Sequence, residues 1–332
     1  MRLQTLVPML PLEVVSALDT IGIKTDSDLL FPGSVVDIVS KLPHGTTSLA
    51  DLKKYIALVA EKSSAVGMRA DEVLDREVAM RSAGQGLVSG IVALDKLVDG
   101  FGGSRVFEIS GIGGSGKTSL ASHVVLRHLA NFPNAYALWI DTAGAFSPEK
   151  TAQLSRLYSG DGAAAALERL QVSLIFNIET AYDVLEELTA SLSSDPERKF
   201  SCVVIDTVTS LLAGTLSAVT SEGHAAMTTF MHHLRSLAQT YFLTFIIINN
   251  TSSASPHNPH SAFASTDRKP ALGPSFTFLS DCTIWLAKKG ESRADDESGP
   301  ESLHVAEVFR SKHTRSKTWC TFKIHQGILC AA

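Results

Sequence analysis

Residues Gly111-Ile112-Gly113-Gly114-Ser115-Gly116-Lys117-Thr118 constrain this chain more than any other segment. They satisfy G-x-x-x-x-G-K-[ST] at every fixed position, with an apolar run before them and a helix-forming run after. The spacing answers a physical need. Glycines let consecutive backbone N–H groups turn inward around a polyphosphate, a lysine in the seventh place reaches the outer phosphate oxygens, and a hydroxyl in the eighth ligates Mg²⁺. A helix opening at Ser119 aims its positive end at the same anion. A strand–loop–helix unit that binds a nucleotide polyphosphate through residues 111–119 is therefore expected.

Such a site also requires an acid at the end of an apolar strand, to hold the metal's water shell. Cys202-Val203-Val204-Ile205 leads into Asp206, which makes Asp206 and Thr118 the Mg²⁺ candidates. An Asp ending a strand is equally a common turn former. Its pairing with the glycine-rich loop is what favours the metal role.

From about residue 87 apolar strands alternate with helical segments, as in a parallel sheet with crossover helices. Strands are expected at 105–110, 136–141, 201–206 and 242–249, and helices at 119–131, 148–158, 181–192 and 222–240, the third opened by a capping box of Thr180 and Asp183. Runs at 281–287, 303–309 and 318–324 predict an antiparallel meander that extends the sheet. Ahead of this core, 1–62 reads as a small all-helical domain, with Leu12, Val15, Leu18 and Ile21 in phase and a second periodic stretch at 49–59. Residues 63–86 read as a linker around a short charged helix, and 87–332 as the α/β core. The stretches 251–269 and 290–301 read as mobile loops.

A length of 332 residues fits two domains, and 29 Lys+Arg against 34 Asp+Glu leave a net charge of -5. No whole-molecule basic field draws the chain onto nucleic acid, so any such contact is local. Cys202, Cys282, Cys320 and Cys330 show no CxxC spacing and read as reduced thiols. Gln4, Pro8, Pro11 and Glu13 break up the first 18 residues, so no signal peptide is expected, and no apolar run is long enough to span a membrane. An intracellular, reducing compartment is the expectation.

Four further segments make the arrangement recognisable: Ser89-Gly90-Ile91-Val92-Ala93-Leu94-Asp95-Lys96-Leu97, the stretch from Trp139 to Lys150, Val204-Ile205-Asp206-Thr207-Val208-Thr209-Ser210-Leu211, and Ile246-Ile247-Ile248-Asn249-Asn250. With the phosphate loop they resemble the RecA-like eukaryotic strand-exchange recombinase family over about 87–325. The resemblance implies a RecA-like P-loop NTPase core, ATP and Mg²⁺ as cofactors, and a nuclear role in homologous-recombination DNA repair. It also implies that the helical N-terminal unit is the family's small helix-hairpin-helix-type domain.

Three departures bear on activity. Active members of the family carry a water-positioning Glu where this chain has Ala143. Such groups are worth roughly 10²–10⁴-fold, so ATP binding with weak hydrolysis is expected. Glu149 is a weak catalytic substitute, better read as an acid in the first turn of a helix. The family's γ-phosphate-sensing Gln is here Asn250, one methylene shorter, although a satisfied strand-end amide looks the same in sequence. The segment matching the first DNA-binding loop, 212–223, has no Lys or Arg. The second, 251–269, offers His257, His260, Phe263, Arg268 and Lys269, which fits either weak single-strand contact or a plain surface loop.

The densest basic run, Arg310-Ser311-Lys312-His313-Thr314-Arg315-Ser316-Lys317, joins two strands of the meander. Its residues fit a solvated turn or a DNA-contacting patch, and the resemblance implies a third reading, a finger reaching a stacked neighbour's ATP, with Arg310, Lys312, Arg315 and Lys317 as candidates. The linker stretch 63–70 has Val66 and Met68 but lacks the aromatic by which related recombinases dock onto a neighbouring core. The expected partners are accordingly related recombinase paralogues in a hetero-oligomer and single-stranded DNA, weakly held by the chain alone.

Overall fold

A computed structural model of the chain describes residues 2–31, 34–64, 67–83, 86–194, 199–216, 222–254, 258–263, 265–288, 301–325 and 327–332. The chain divides into two compact units, Met1–Val73 and Leu74–Ala332.

The first unit holds α1 (Leu12–Thr20), α2 (Asp26–Leu30), α3 (Val35–Lys41) and α4 (Leu49–Ser63). Leu10, Leu18, Leu29, Leu52 and Val59 form its core. A capping box opens α2: Asp28 N donates to Thr25 Oγ1 (3.2 Å) and Thr25 N to Asp28 Oδ2 (2.9 Å), which satisfies two N–H groups that have no partner within the helix. The in-phase reading of Leu12 does not hold. Leu12 is exposed, and α1 turns Val14, Val15 and Leu18 inward instead. Helix α5 (Ala70–Ala83) occupies most of the expected linker. Val66 lies outside the described residues.

In the second unit, α6 (Val92–Val98), β1 (Val106–Gly111), α7 (Lys117–Asn131), β2 (Ala135–Asp141), α8 (Pro148–Ser159), α9 (Ala163–Glu168), β3 (Leu170–Leu174), α10 (Ile178–Ser194) and β4 (Lys199–Asp206) follow one another. Then come α11 (Val208–Leu212), α12 (Glu222–Tyr241), β5 (Thr244–Asn249), a short pair β6 (Thr251–Ser253) and β7 (Arg268–Pro270), α13 (Gly273–Leu279), β8 (Cys282–Lys288), β9 (Glu301–Ser311), β10 (Thr318–His325) and β11 (Ile328–Ala331). Nine strands make one sheet in the order β11-β10-β9-β8-β1-β5-β4-β2-β3. From β3 through β8 neighbours are parallel, and β8 to β11 are antiparallel.

The inner strands are mostly apolar because both faces are covered. Phe107, Ile109, Val204, Ile246 and Ile248 pack on one side with Leu94 of α6 and Leu120 and Val124 of α7. Val106, Val203, Ile205, Phe245 and Ile247 pack on the other with Leu185 of α10 and Phe230 and Leu234 of α12. Each such side chain contributes about 1.5–3 kcal/mol on burial, which makes the strand ends a firm platform for the loops they carry.

The expected parallel core and meander are present, with differences at the margins. Strands β3 and β11 and helix α9 were not anticipated, being short or half exposed. Helix α10 begins at Ile178, earlier than expected, and its first turn is capped by Asn177, whose Oδ1 accepts from Thr180 N at 2.8 Å, so Thr180 and Asp183 are not its capping box. The two ends of the expected loop 251–269 pair as the antiparallel ribbon β6–β7, Thr251 opposite Pro270 and Ser253 opposite Arg268. Residues 217–221 of the first loop, His257, and 289–300 lie outside the described residues. No helix among the described residues is long and apolar enough to cross a membrane.

Candidate functional site

Strand β1 delivers the phosphate loop and α7 receives it, as the spacing predicts. A Cβ at Gly111 would stand 2.4 Å from the Leu286 carbonyl oxygen of β8 and 2.4 Å from Ser115 Oγ, so only glycine fits. Gly116 sits at φ 94° against Ile324 of β10, a conformation L side chains rarely adopt. Lys117 Nζ donates to Gly111 O (2.7 Å) and Ile112 O (2.9 Å), which folds the ammonium over the loop. Thr118 Oγ1 donates to Asp206 Oδ2 at 3.0 Å. Burial pulls Lys117 below its ordinary pKa, against the opposing pull of Asp206, and burial raises Asp206 above its own, offset in part by the Thr118 bond. Both groups thus sit where an added anion and a divalent cation would relieve the cost of burying charge. Ser115 Oγ is buried without a hydrogen-bond partner in the same loop.

These residues fit ATP with Mg²⁺. The glycines at 113 and 114 leave open space beside the loop backbone, and one hydroxyl and one carboxylate are a normal protein share of a magnesium shell otherwise made of water and phosphate. When bound, the metal would neutralise phosphate charge through Thr118 and Asp206. No group of three His, Cys, Asp or Glu side chains among the described residues forms a separate metal centre.

The loop after β2 is built around Asp141. Its Oδ1 accepts from Ala143 N (3.0 Å) and Ala145 N (3.2 Å), and its Oδ2 from Phe146 N (2.9 Å). Burial alone would raise Asp141, but these N–H groups outweigh it and hold the carboxyl below its ordinary value. A carboxylate so committed is a poor base. Ala143 is exposed on this loop and has nothing with which to orient water. Glu149 lies in the first turn of α8, where its Oε2 accepts from Ser147 Oγ (3.3 Å) of the cap residue, matching the first-turn reading.

Sequence reasoning missed two supports of the site. His304 of β9 reaches the phosphate loop, its Nδ1 3.0 Å from Ser115 O and its Nε2 2.7 Å from Ser302 Oγ. Because Ser115 O only accepts, Nδ1 carries the proton. The second is the set of buried Glu108 and Asn249 with half-buried Thr209, which reaches the backbone of Asn250. Asn250 stands at the exit of β5, its N–H held by Thr209 Oγ1 (2.9 Å) and its C=O by Ala271 N (2.9 Å). A lone His in an alternating strand and a Glu in an apolar one carry no spacing signal.

The sequence profile of the Rad51 family matches residues 81–309. The chain belongs to the Rad51 family. It is 30% identical over 289 residues to "DNA repair protein RAD51 homolog 4" of Bos taurus, covering 85% of this chain and 83% of that protein. The protein of the same name from Mus musculus is 27% identical, with 85% and 82% covered. The crystal structure of the RadB recombinase superposes with a TM-score of 0.56 at 21% identity, covering 73% of this chain and 98% of that one, and shares the fold. The RecA-like core expected from the motifs is thus that of a Rad51-family chain.

Two segments that this Rad51-family sequence keeps far apart are brought together. Lys317 Nζ donates to Pro259 O (3.1 Å), Phe263 lies 5.5 Å from Trp319, and His260 lies 5.9 Å from Phe309, ring centre to ring centre. Arg268 and Lys269 lie on β7, while Arg315 and Lys317 are exposed between β9 and β10. Arg310 and Lys312 are tied within the protomer. Arg310 Nη1 donates to Thr277 O (3.0 Å) and Ser280 O (3.3 Å) at the end of α13 and its guanidinium lies 4.4 Å from the Phe278 ring centre, and Lys312 Nζ reaches Asp281 Oδ1 at 2.7 Å. The hairpin also sits at the sheet end away from the phosphate loop. Ser311 pairs with Cys282 while Gly111 pairs with Leu286, about 13 Å along the strands at ~3.3 Å per residue.

Proposed function

We propose that this chain is an ATP-binding recombinase paralogue of homologous-recombination DNA repair, working in a hetero-oligomer of related subunits that assists recombinase assembly on single-stranded DNA. One observation carries the reading of the nucleotide site: the phosphate loop and the Thr118–Asp206 pair are complete, yet position 143 is alanine and the adjacent carboxylate, Asp141, is spent on backbone N–H groups. Binding is provided for and water activation is not. ATP then acts mainly as an assembly ligand, since a ligand that prefers one state shifts the population toward it. The relatives are named DNA repair proteins, which supports the pathway, and a nuclear site of action follows from the same resemblance.

The joining of β7 and 258–263 with the β9–β10 hairpin supports a DNA contact. Arg268, Lys269, Arg315 and Lys317 supply charge, and Phe263 and Trp319 supply stacking faces, which is the combination that holds single strands without sequence preference. A hairpin away from its own phosphate loop also leaves the finger in trans, offered to a neighbour, as the geometry open to Arg315 and Lys317. For partners, the edge strand β3 exposes Val172 (44%), Leu174 (56%) and, just beyond it, Phe176 (68%), an apolar edge that a partner's strand would cover.

The test is ATP turnover by the purified chain with and without single-stranded DNA, nucleotide binding being recorded on the same sample and Lys117→Ala serving as control. Binding with turnover no higher than in that variant is expected. Robust DNA-stimulated turnover lost in Lys117→Ala would make the chain a self-sufficient recombinase ATPase.

A further inference from the structure

The peptide that joins Ser115 to Gly116 lies in the middle of the phosphate loop and has little local hold. Ser115 is buried, yet its hydroxyl has no hydrogen-bond partner. Gly114 (φ 75°) and Gly116 (φ 94°) stand on either side, and glycine passes between backbone conformations at small cost. Ser115 N donates to Ile112 O (3.2 Å), while Gly116 N–H donates to no group among the described residues.

His304, 189 residues further along the chain, supplies the missing hold from β9. Its Nδ1–H donates to Ser115 O (3.0 Å) and its Nε2 accepts from Ser302 Oγ (2.7 Å). The ring stacks on Phe322 of β10, 5.4 Å between ring centres and 25° between planes, and is 1% exposed. Burial lowers the pKa of the imidazole, the Ser115 carbonyl opposes that, and Lys288, its partner on β8, lowers it further. The ring is therefore neutral, with one nitrogen donating and the other accepting. It cannot turn away from the loop without leaving buried nitrogens unpaired, which is costly.

In a trans peptide the N–H points opposite to the C=O. A Ser115 carbonyl held toward β9 therefore turns the Gly116 N–H away from β9. Resting on the nucleotide reading above, we propose that His304 is a positioning residue for that site: it locks the Ser115–Gly116 peptide so that the Gly116 N–H faces the nucleotide's phosphates. The meander then preorganises the loop, and the peptide need not be ordered at the moment of binding.

Donation and packing make opposite demands on position 304. Asn keeps an N–H donor at the place of Nδ1 and gives up the ring, and Ser302 Oγ retains Ile324 O (3.3 Å) as an acceptor. Phe keeps the ring and its stacking on Phe322 but has no donor. Leu also lacks the donor and is smaller than Phe, so a loss shared by Phe and Leu cannot come from crowding.

The experiment is calorimetric titration of the full-length chain with a slowly hydrolysed ATP analogue and, separately, with ADP, both with Mg²⁺, the Tm of each nucleotide-free variant being recorded first. His304→Phe and His304→Leu are expected to weaken both ligands by about tenfold, and His304→Asn by under about threefold. ADP is expected to follow the analogue because loop N–H groups cradle the inner phosphates. If the wild type binds neither ligand, the nucleotide reading falls and the brace with it. If the wild type binds, the brace alone is overturned by either of two results: donor-less variants that bind as the wild type does, or an Asn variant that fails as badly as they do. Should Phe fail to fold, the comparison of Leu with Asn decides in the same way.

Discussion

Thr118 and Asp206, 88 residues apart in the chain, meet with the threonine hydroxyl donating to Asp206 Oδ2 at 3.0 Å. Two strands that are separated by β5 in the sheet thereby bring a helix start and a strand end to one point.

Burial raises Asp206 above its ordinary pKa, so the nucleotide-free fold holds its charge at a cost. A raised acid contributes stability that is present below the ordinary carboxylate value and lost as pH rises through the folded one. Asp206→Asn should therefore raise the nucleotide-free Tm at pH 7 while lowering Mg²⁺-dependent affinity for an ATP analogue by about 10–100-fold. Calorimetry and titration on one sample check both halves, and a variant that binds as the wild type does would remove Asp206 from the metal site.

Position 143 is predicted to set the slow step. Ala143→Glu should raise ATP turnover in the presence of single-stranded DNA by about 10²-fold, the low end of what water-positioning groups supply, with little change in nucleotide affinity. Phosphate-release kinetics on both proteins check it; no gain would mean that the loop around Asp141 holds position 143 in the wrong place.

Asp281 is a stability residue. It accepts from Val106 N (2.9 Å), Arg235 Nη2 (3.1 Å) and Lys312 Nζ (2.7 Å). Burial alone would raise its pKa, and these partners outweigh burial and lower it. A lowered acid contributes stability above the ordinary carboxylate value and loses it as pH falls through the folded one. Asp281→Ala should cost about 3 kcal/mol at pH 7, and the gap to the wild type should narrow as the pH drops below about 4. Urea unfolding at several pH values measures it.

If Trp319, Lys269 and Lys317 contact single-stranded DNA, the three variants should fail differently. Trp319→Ala should weaken binding by about 1–3 kcal/mol through lost stacking. Lys269→Ala and Lys317→Ala should each reduce the slope of log K against log salt by about 0.7. Equal salt slopes in all four proteins would show that neither lysine touches phosphate.

Strand β3 offers the partner test. Val172→Lys with Leu174→Lys should abolish co-purification of a partner subunit while shifting Tm by no more than a few degrees, because both side chains are already exposed. Retained co-purification would place the interface elsewhere.

The phosphate loop, the inner strands and Asp206 were legible in the sequence because each is a local pattern: glycine spacing, a mostly apolar run, an acid at a strand's end. The meander was legible for the same reason, its three runs being close in sequence. The short edge strand β3 was not, since half of Leu170–Leu174 faces outward and its pattern has no core to answer to. Nor was the pairing of β6 with β7, which a Ser- and Pro-rich composition conceals.

Sequence alone determined that this chain builds a RecA-like core with a complete phosphate-loop motif and that position 143 is alanine. Only the tertiary structure decided that Asp141 is committed to backbone N–H groups, that Arg310 and Lys312 are held inside the protomer, that His304 braces Ser115, and that Glu108 is linked to Asn250 through Asn249 and Thr209. The physical reason is common to all four. Each depends on which hydrogen-bond partners remain free after strands distant in the chain have packed side by side, and that is fixed by the register of the sheet, not by the spacing of residues along the chain.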